Sequence, residues 1–598
     1  MPPQQGSLTG QQLATKSYLV FSDFETMDTH VARVACPPNR LPWCENLQLV
    51  GPNQLALVPG VAPALASIVG KTASKIWYGA MTVAGTAIDY EIIFETDGSL
   101  QAVNLAGGAV TQIAAPGTFS NPDVTVWQAN TLLIADPTAG YSAWNGTVLS
   151  KSGTVSPFIV VTNGGSGYAG GATAVISGGT GSGATATVTT VGGVVTALTL
   201  TNAGSGYLAS DTLTVTISPV AGGTGATATA IVWPQLPGLK PTTLAVFAGR
   251  VWLGAGRTLQ FTGTKGADDV NPADAAGTAT IVDADLVHSI VALRNLNNFL
   301  WIFGDNSIKQ IGTVSVTGST TVFTTVTLSS DTGTTFPQTI QSYNRLVLFA
   351  NKAGIWAVLG SSVQKISEEM DGVFPYIDFT LPPCAALNDI RNIRCYLLLV
   401  RYNDPAQNRA RTLLLVFQNK KWFVCSMGDG LLAMATAVLA GSLHTFGSSG
   451  ADVTEILAPT SSALVSFILQ TALSHHGKPH MGKKTLRAAI SQIISGVGTV
   501  GLRIDSETLG GIQGDPEPYP AASVIIWLNI NNQVVNWLNG SSQTVTFGSA
   551  GFLFQRTKAF NTGIYLGVSL FATLPGYNFN NAILEYQETT ALASRVQI

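Results

Sequence analysis

Charge is what this chain has least of. Asp, Glu, Lys and Arg together make up 11% of its 598 residues, against about 25% in ordinary globular proteins. Soluble monomers use surface charge to stay apart, so a chain this poor in it is expected to cover much of its surface with partners in an obligate assembly. The net charge of −3 offers no basic excess, which excludes DNA binding of the kind that draws its affinity from phosphate neutralisation. Cysteine is scarce as well: Cys36, Cys44, Cys384, Cys395 and Cys425 are scattered and form no CxxC pair, so neither a disulfide scaffold nor a zinc ribbon is expected, and they read as small buried apolar residues. The longest uncharged apolar runs, 58–70 and 431–441, fall short of the roughly 20 residues that cross a bilayer as a helix. Met1-Pro2-Pro3-Gln4-Gln5-Gly6 has neither a basic nor an apolar leader region, so no secretory signal is read and folding in a cytoplasm is expected.

What the chain has in quantity is glycine, 63 residues of it, concentrated in a near-duplication. Thr162-Asn163-Gly164-Gly165-Ser166-Gly167-Tyr168 returns as Thr201-Asn202-Ala203-Gly204-Ser205-Gly206-Tyr207, and Ala184-Thr185-Ala186-Thr187 returns as Ala226-Thr227-Ala228-Thr229. Each copy alternates β-branched with small residues and breaks at glycine clusters, which adopt positive φ without steric cost. Residues 155–232 therefore read as an inserted pair of β-modules. A flexible Gly/Ser linker is the alternative, but linkers lack regular Val/Ile positions and a tyrosine at a repeated place.

Setting this insertion aside exposes a longer period. Short apolar strands start at Tyr90, Thr131, Arg250, Phe299, Arg345, Tyr396 and Leu443, spaced by 41, 119, 49, 46, 51 and 47 residues. Removing about 80 inserted residues brings the one long interval down to about 39. Each strand leads through a Gly, Asp or Asn turn into a second one, as in Asn351-Lys352-Ala353-Gly354-Ile355-Trp356. Hairpins at a spacing of 40 to 50 residues, without amphipathic helices, are the signature of four-stranded propeller blades. The expected fold is all-β: a β-propeller of six to eight blades, seven favoured, over 76–154 and 233–460. An array of β-sandwiches is the alternative, and Greek-key connections vary more than these do.

The ends depart from this pattern. Residues 1–75, with Pro37-Pro38-Asn39-Arg40-Leu41-Pro42-Trp43, read as an irregular N-terminal segment because proline forbids regular ladders. Residues 461–598 read as a separate β-sandwich-like domain, with strands at Val524-Ile525-Ile526-Trp527-Leu528, Gln533-Val534-Val535-Asn536-Trp537 and Gly563-Ile564-Tyr565-Leu566-Gly567-Val568.

No catalytic, cofactor-binding or metal-binding residue is assigned. Ile68-Val69-Gly70-Lys71-Thr72 lacks the first glycine of a phosphate loop, since position 65 is Leu65. Gly178-Gly179-Thr180-Gly181-Ser182-Gly183 is followed by neither a Lys nor a helix pattern. His475, His476 and His480 have no neighbouring carboxylate or cysteine and read as an exposed loop. Glu368-Glu369-Met370-Asp371 and Asp283-Ala284-Asp285 read as solvated acids, although a propeller glycosidase would need two carboxylates from separate blades. Lys478, Lys483, Lys484 and Arg487 form the densest basic cluster, read equally as a DNA contact or as a salt-bridged subunit surface.

The run Asn344-Arg345-Leu346-Val347-Leu348-Phe349 through Gly354-Ile355-Trp356 to Ile366-Ser367-Glu368-Glu369-Met370-Asp371-Gly372-Val373-Phe374 resembles a blade of the tail nozzle proteins of short-tailed bacteriophages (the podovirus-type tail tubular protein B family). Phe247-Ala248-Gly249-Arg250-Val251-Trp252-Leu253-Gly254 with Leu259-Gln260-Phe261-Thr262-Gly263, and Phe303-Gly304-Asp305-Asn306-Ser307-Ile308, are similar in the same way. Cys44-Glu45-Asn46-Leu47 leading to Leu55-Ala56-Leu57-Val58-Pro59-Gly60 resembles the family's N-terminal segment. The likeness spans about residues 40 to 500 and carries no catalytic motif. The glycine-rich insertion resembles β-repeats that decorate phage structural proteins.

The resemblance implies a non-enzymatic virion protein in the phage tail, assembled in the host cytoplasm. It implies a homo-oligomer, a hexameric ring below the tail adaptor of the head-tail connector, contacting tail fibres or spikes. Phage DNA would leave through its channel without specific binding, with no cofactor and no membrane span. Two alternatives remain from the residues: a propeller enzyme that degrades glycans, and a glycan- or receptor-binding adhesin acting through the insertion.

Overall fold

A computed structural model describes residues 16–51, 54–220, 222–234, 236, 240–281, 286, 288–405, 408–426, 430–495, 500–507, 512–513, 553–557 and 561–589. The fold is all-β: a seven-bladed β-propeller, a two-copy β-repeat domain inserted between its second and third blades, and a β-sandwich toward the C-terminus. The blades occupy 73–114, 123–150, 243–280, 290–329, 341–365, 384–425 and 433–456, each an antiparallel four-stranded unit. All seven strands read from the sequence are second strands of blades: Thr86–Glu95, Thr131–Asp136, Arg250–Ala255, Phe299–Gly304, Leu346–Asn351, Ile393–Asp404 and Ser442–Ser449.

One turn type explains the recurrence. First and second strands are joined by two left-handed residues at Ala84-Gly85, Ala248-Gly249, Asn297-Asn298, Arg391-Asn392 and Ala440-Gly441, all with φ between 49° and 83°. Two-residue loops of this kind match the right-handed twist of the strands they connect. Apolar clusters then weld blade to blade. Ile92 and Leu132 share a cluster across blades 1 and 2, Leu133 and Leu253 across 2 and 3, Trp252 and Ile302 across 3 and 4, and Phe303 and Phe349 across 4 and 5. Leu348 and Leu397 do the same for blades 5 and 6.

The ring closes on itself. Ala435, Ala437 and Phe446 of blade 7 pack with Ile76, Ile93 and Val103 of blade 1. The fourth strand of blade 7 is Ala66–Ser67, from upstream of blade 1, paired as Asp452↔Ser67 and Val453↔Ala66. Ala66–Ser67 covers part of what would otherwise be the open edge of Asp452–Ile456.

The insertion has internal two-fold order. Thr173–Ser177 of the first copy pairs antiparallel with Thr214–Ser218 of the second, with Val175 opposite Thr216 at the centre. The outer strands exchange partners: Asn163 lies opposite Thr227, and its counterpart Asn202 lies opposite Thr185. Each asparagine accepts the backbone N–H two residues on, from Gly165 and Gly204. Neither copy closes its own sheet. The neck is the bridge Val155↔Val232, and beside it Trp233, fully buried, donates its indole N–H to Tyr141 O at 2.8 Å.

The chain ends correct two expectations. Residues 22–42 are irregular as read, but Lys16–Phe21, Trp43–Glu45, Leu47–Leu49, Leu55–Leu57 and Ala66–Ser67 are strands. Leu47–Leu49 and Leu55–Leu57 pair with each other as a short hairpin, but the remaining partners lie hundreds of residues away, where no local pattern announces them. Lys16–Phe21 and Leu55–Leu57 pair with Gly576–Glu588. Trp43–Glu45 joins Lys421–Cys425 of blade 6 on one side and Val465–Gln470 on the other. The sandwich is therefore not separate: one of its sheets continues that of blade 6, and the other contains the first and last described strands, Lys16–Phe21 and Gly576–Glu588. Phe467 and Tyr577, stacked at 4.4 Å, join the two faces. Of the C-terminal strands read from sequence, 524–528 and 533–537 lie outside the described residues. Thr562–Gly563 and Leu566–Leu574 bracket the third.

Candidate functional site: the mouth of the propeller channel

Inner strands of a propeller line its axis, and three of them, Ala73–Val83, Cys384–Ile390 and Ala433–Leu439, start at the same mouth. A cavity of about 720 Å³ lies there. Its floor is apolar, with Ile76, Phe336, Pro382, Leu431 and Met434. Its charged lining is cationic: Lys75, Arg401 and Arg411.

Each cation is already engaged. Lys75 Nζ donates to Asn121 Oδ1 and to Pro122 O; burial holds its pKa below the ordinary lysine value, with Asp123 pulling the other way. Arg411 is 7% exposed. It forks onto Glu45 through Nη1–Oε1 at 2.8 Å and Nη2–Oε2 at 3.1 Å, and its Nε lies 3.2 Å from Asp404. Trp43 and Tyr402 carry its guanidinium on their faces at 5.7 and 5.9 Å. Nearer the axis, Asp123 receives Thr243 Oγ1 at 2.7 Å and Arg294 Nη1 at 2.8 Å, tying blades 2, 3 and 4 together. These charges hold blades and chain ends in place.

Among the described residues the cavity lining contains no Asp, Glu or His. A glycosidase needs two carboxylates flanking the scissile bond, and the described lining presents none. Glu95, on the blade 1 strand just before the cavity residue Thr96, is buried and pushed up to about 7 by burial, then by Asp97.

The other candidates are dispersed. Lys71 pairs with Asp97. At Gly178–Gly183 the Asp211 carboxylate takes the N–H groups of Thr180 and Leu208, each at 2.9 Å, so an acid fills the place a phosphate would need. His475 and His476 pack edge-on against Tyr565 and Tyr586, and among the described residues no three His, Cys, Asp or Glu converge on a metal position. Glu368–Met370 is a single 3-10 turn; Glu369 O accepts Thr29 N at 2.7 Å, and Asp371 pairs with Lys365 at 2.6 Å. Residues 283–285 lie outside the described residues. The basic cluster divides. Lys483 is fully buried and donates to three carbonyls, of Lys478, Met481 and Ile564, and Lys478 pairs with Glu588. Lys478, Lys484 and Arg487 are exposed. The five cysteines are buried and unpaired.

The sequence reading missed the Glu45–Arg411–Asp404 group and the axial Asp123–Arg294 pair. Their one signal was charge inside apolar strands, as at Arg411 in Arg409–Gln418.

No protein-family model matches the sequence. No curated protein matches it either. Among solved structures, it is similar to BBS1N in its complex with ARL6DN (11% identity, TM-score 0.30), covering 68% of this chain and 98% of that one. It is also similar to BamB from Moraxella catarrhalis (12%, 0.26), covering 69% and 98%, and to a mutant of AofleA from Arthrobotrys oligospora (11%, 0.26), covering 70% and 87%. The propeller assignment stands on the sheet order and closure described above.

Proposed function

We propose that this chain is a non-catalytic structural subunit of the tail nozzle of a short-tailed phage. Copies would form a hexameric ring that closes, and then conducts, the genome exit channel, seated on the adaptor ring and anchoring fibres or spikes. The observation that carries this reading is mechanical. The sheet of blade 6 runs on into a sandwich that also holds the first and last described strands, so propeller and sandwich form one continuous body. A body of this kind, with only 11% charged residues, suits permanent interfaces in a ring. The blade-like runs around Arg250 and Arg345 support the same reading by resemblance. A near-neutral, slightly acidic chain, at −3 net charge, also suits DNA that must slide without sticking.

Mass measurement and negative-stain imaging of the purified chain, alone and with adaptor, test the proposal. Rings of six 62.2 kDa subunits are expected. Monomers alone under both conditions would overturn it.

A further inference from the structure

The inserted domain is nearly free of charge. Across residues 155–232 the one ionisable group other than tyrosine is Asp211, and its carboxylate is taken up by Thr180 and Leu208. Whatever this domain recognises, it does not recognise by ion pairing.

Its four-stranded sheet turns Ala174, Ile176, Ala184 and Ala186 inward. The opposite face is a lattice of hydroxyls. One row across the strands reads Thr199, Thr187, Thr173, Ser218; the next carries Thr185, Val175 and Thr216; Ser177 and Thr214 start a third. Neighbouring strands stand about 4.8 Å apart, and alternate residues along a strand about 6.7 Å. Thr173, Thr187, Thr214, Thr216, Ser177 and Ser218 are exposed. Threonine is stiff at χ1, so each hydroxyl and methyl is held in place before any ligand arrives, and little rotamer entropy is lost on binding. The duplication makes the array regular, because the two-fold relation passes through Val175 and Thr216.

The geometry points to this face as a docking surface for a neutral polysaccharide. A repeating, uncharged, hydroxyl-rich polymer complements a repeating, uncharged lattice of hydroxyl and methyl groups. An anionic polymer or a charged protein would find no counter-charge there, and its own charges would be desolvated without return. This inference does not depend on the ring.

Co-sedimentation of the full chain with a panel of insoluble neutral glucans, mannans and galactans, and with anionic polygalacturonate, tests it. Retention on at least one neutral polymer, unchanged in 1 M NaCl, is expected. A variant carrying Thr173→Val, Thr187→Val, Thr214→Val and Thr216→Val keeps shape and β-propensity but removes four hydroxyls, and should bind about tenfold or more weakly. Thr→Ser at the same four positions should stay within about threefold of the parent. Failure on every neutral polymer, preference for polygalacturonate, loss in salt, or equal binding by the valine variant would each overturn the inference. So would self-association of the chain through this face, seen as a dimer that the valine variant dissolves.

Discussion

The ring of Tyr207 lies directly over Gly181, and the ring of Tyr168 lies over Gly223, so each copy of the repeat supplies a tyrosine to the glycine of the other. A Cβ on Gly181 would stand 2.3 Å from Tyr207 Cγ, and one on Gly223 would stand 2.7 Å from Tyr168. Both rings are buried. The duplication is thus read by the fold as a pair of interlocked halves.

Gly181→Ala and Gly223→Ala should therefore act alike, each displacing a buried ring at a cost of about 1–3 kcal/mol. The loss should be confined to the insertion. Hydrogen exchange is expected to speed up across 160–229 in both variants and to leave the second strands of the blades unchanged. Unequal effects would argue against the two-fold arrangement.

Glu91 carries a pH prediction. It is fully buried at the seam between blades 7 and 1, neither carboxylate oxygen has a hydrogen-bond partner, and burial alone raises its pKa well above the ordinary 4.5. Glu95 on the same strand is raised to about 7. With folded values above unfolded ones, both groups leave stability intact below about pH 4.5 and erode it as pH rises from there toward and beyond 7. Glu91→Gln should flatten the dependence of the urea midpoint on pH, raising the midpoint at pH 8 with little change at pH 4. A Glu91→Gln profile parallel to that of the parent would show that the carboxyl is not held neutral.

Arg411 is locked between Glu45 and Asp404 where the N-terminal strand Trp43–Glu45 meets blade 6. Arg411→Met alone removes the cation held against two buried acids and should cost about 3–5 kcal/mol. Replacing all three by apolar residues of similar volume should recover most of it, because the desolvation of the charges disappears with them. Thermal melting of the single and triple variants checks both statements.

The blades were legible because their first two strands are local: a second strand, in five blades a two-residue left-handed turn before it, and an apolar alternation all fall within about 40 residues. The insertion was legible for the same reason. What failed was non-local. Trp43–Glu45 gains its order from strands at Val424 and Leu469, so a proline-rich neighbourhood was all that showed. Lys483 reads as surface charge from its basic neighbours, but the carbonyls of Lys478 and Met481 in the preceding turn and of the remote Ile564 surround it. The cavity mouth assembles residues of blades 1, 6 and 7 and the lead-in to blade 5, which no spacing rule brings together.

Removing the insertion is the sharpest test of its independence from the ring. At the neck Val155 pairs with Val232, Ser156 N donates to Ile231 O at 2.9 Å and Trp233 N donates to Thr154 O at 2.8 Å. The two stems are thus already adjacent and antiparallel, and a two-residue Asn-Gly turn can bridge them. The cut must spare Trp233, whose ring packs on Tyr141 at 4.9 Å and fills the space between blades 2 and 3. Deleting 157–230 with such a turn keeps the Tyr141 contact and removes that of Phe158, whose ring lies 6.3 Å from Trp233. The stems lose the cover of Tyr207 and Leu200, which share their cluster, so a small local destabilisation is expected. Calorimetry should show the propeller transition within a few degrees of the parent and one smaller transition missing. A collapse of the main transition would mean that the blades need the insertion to stay folded.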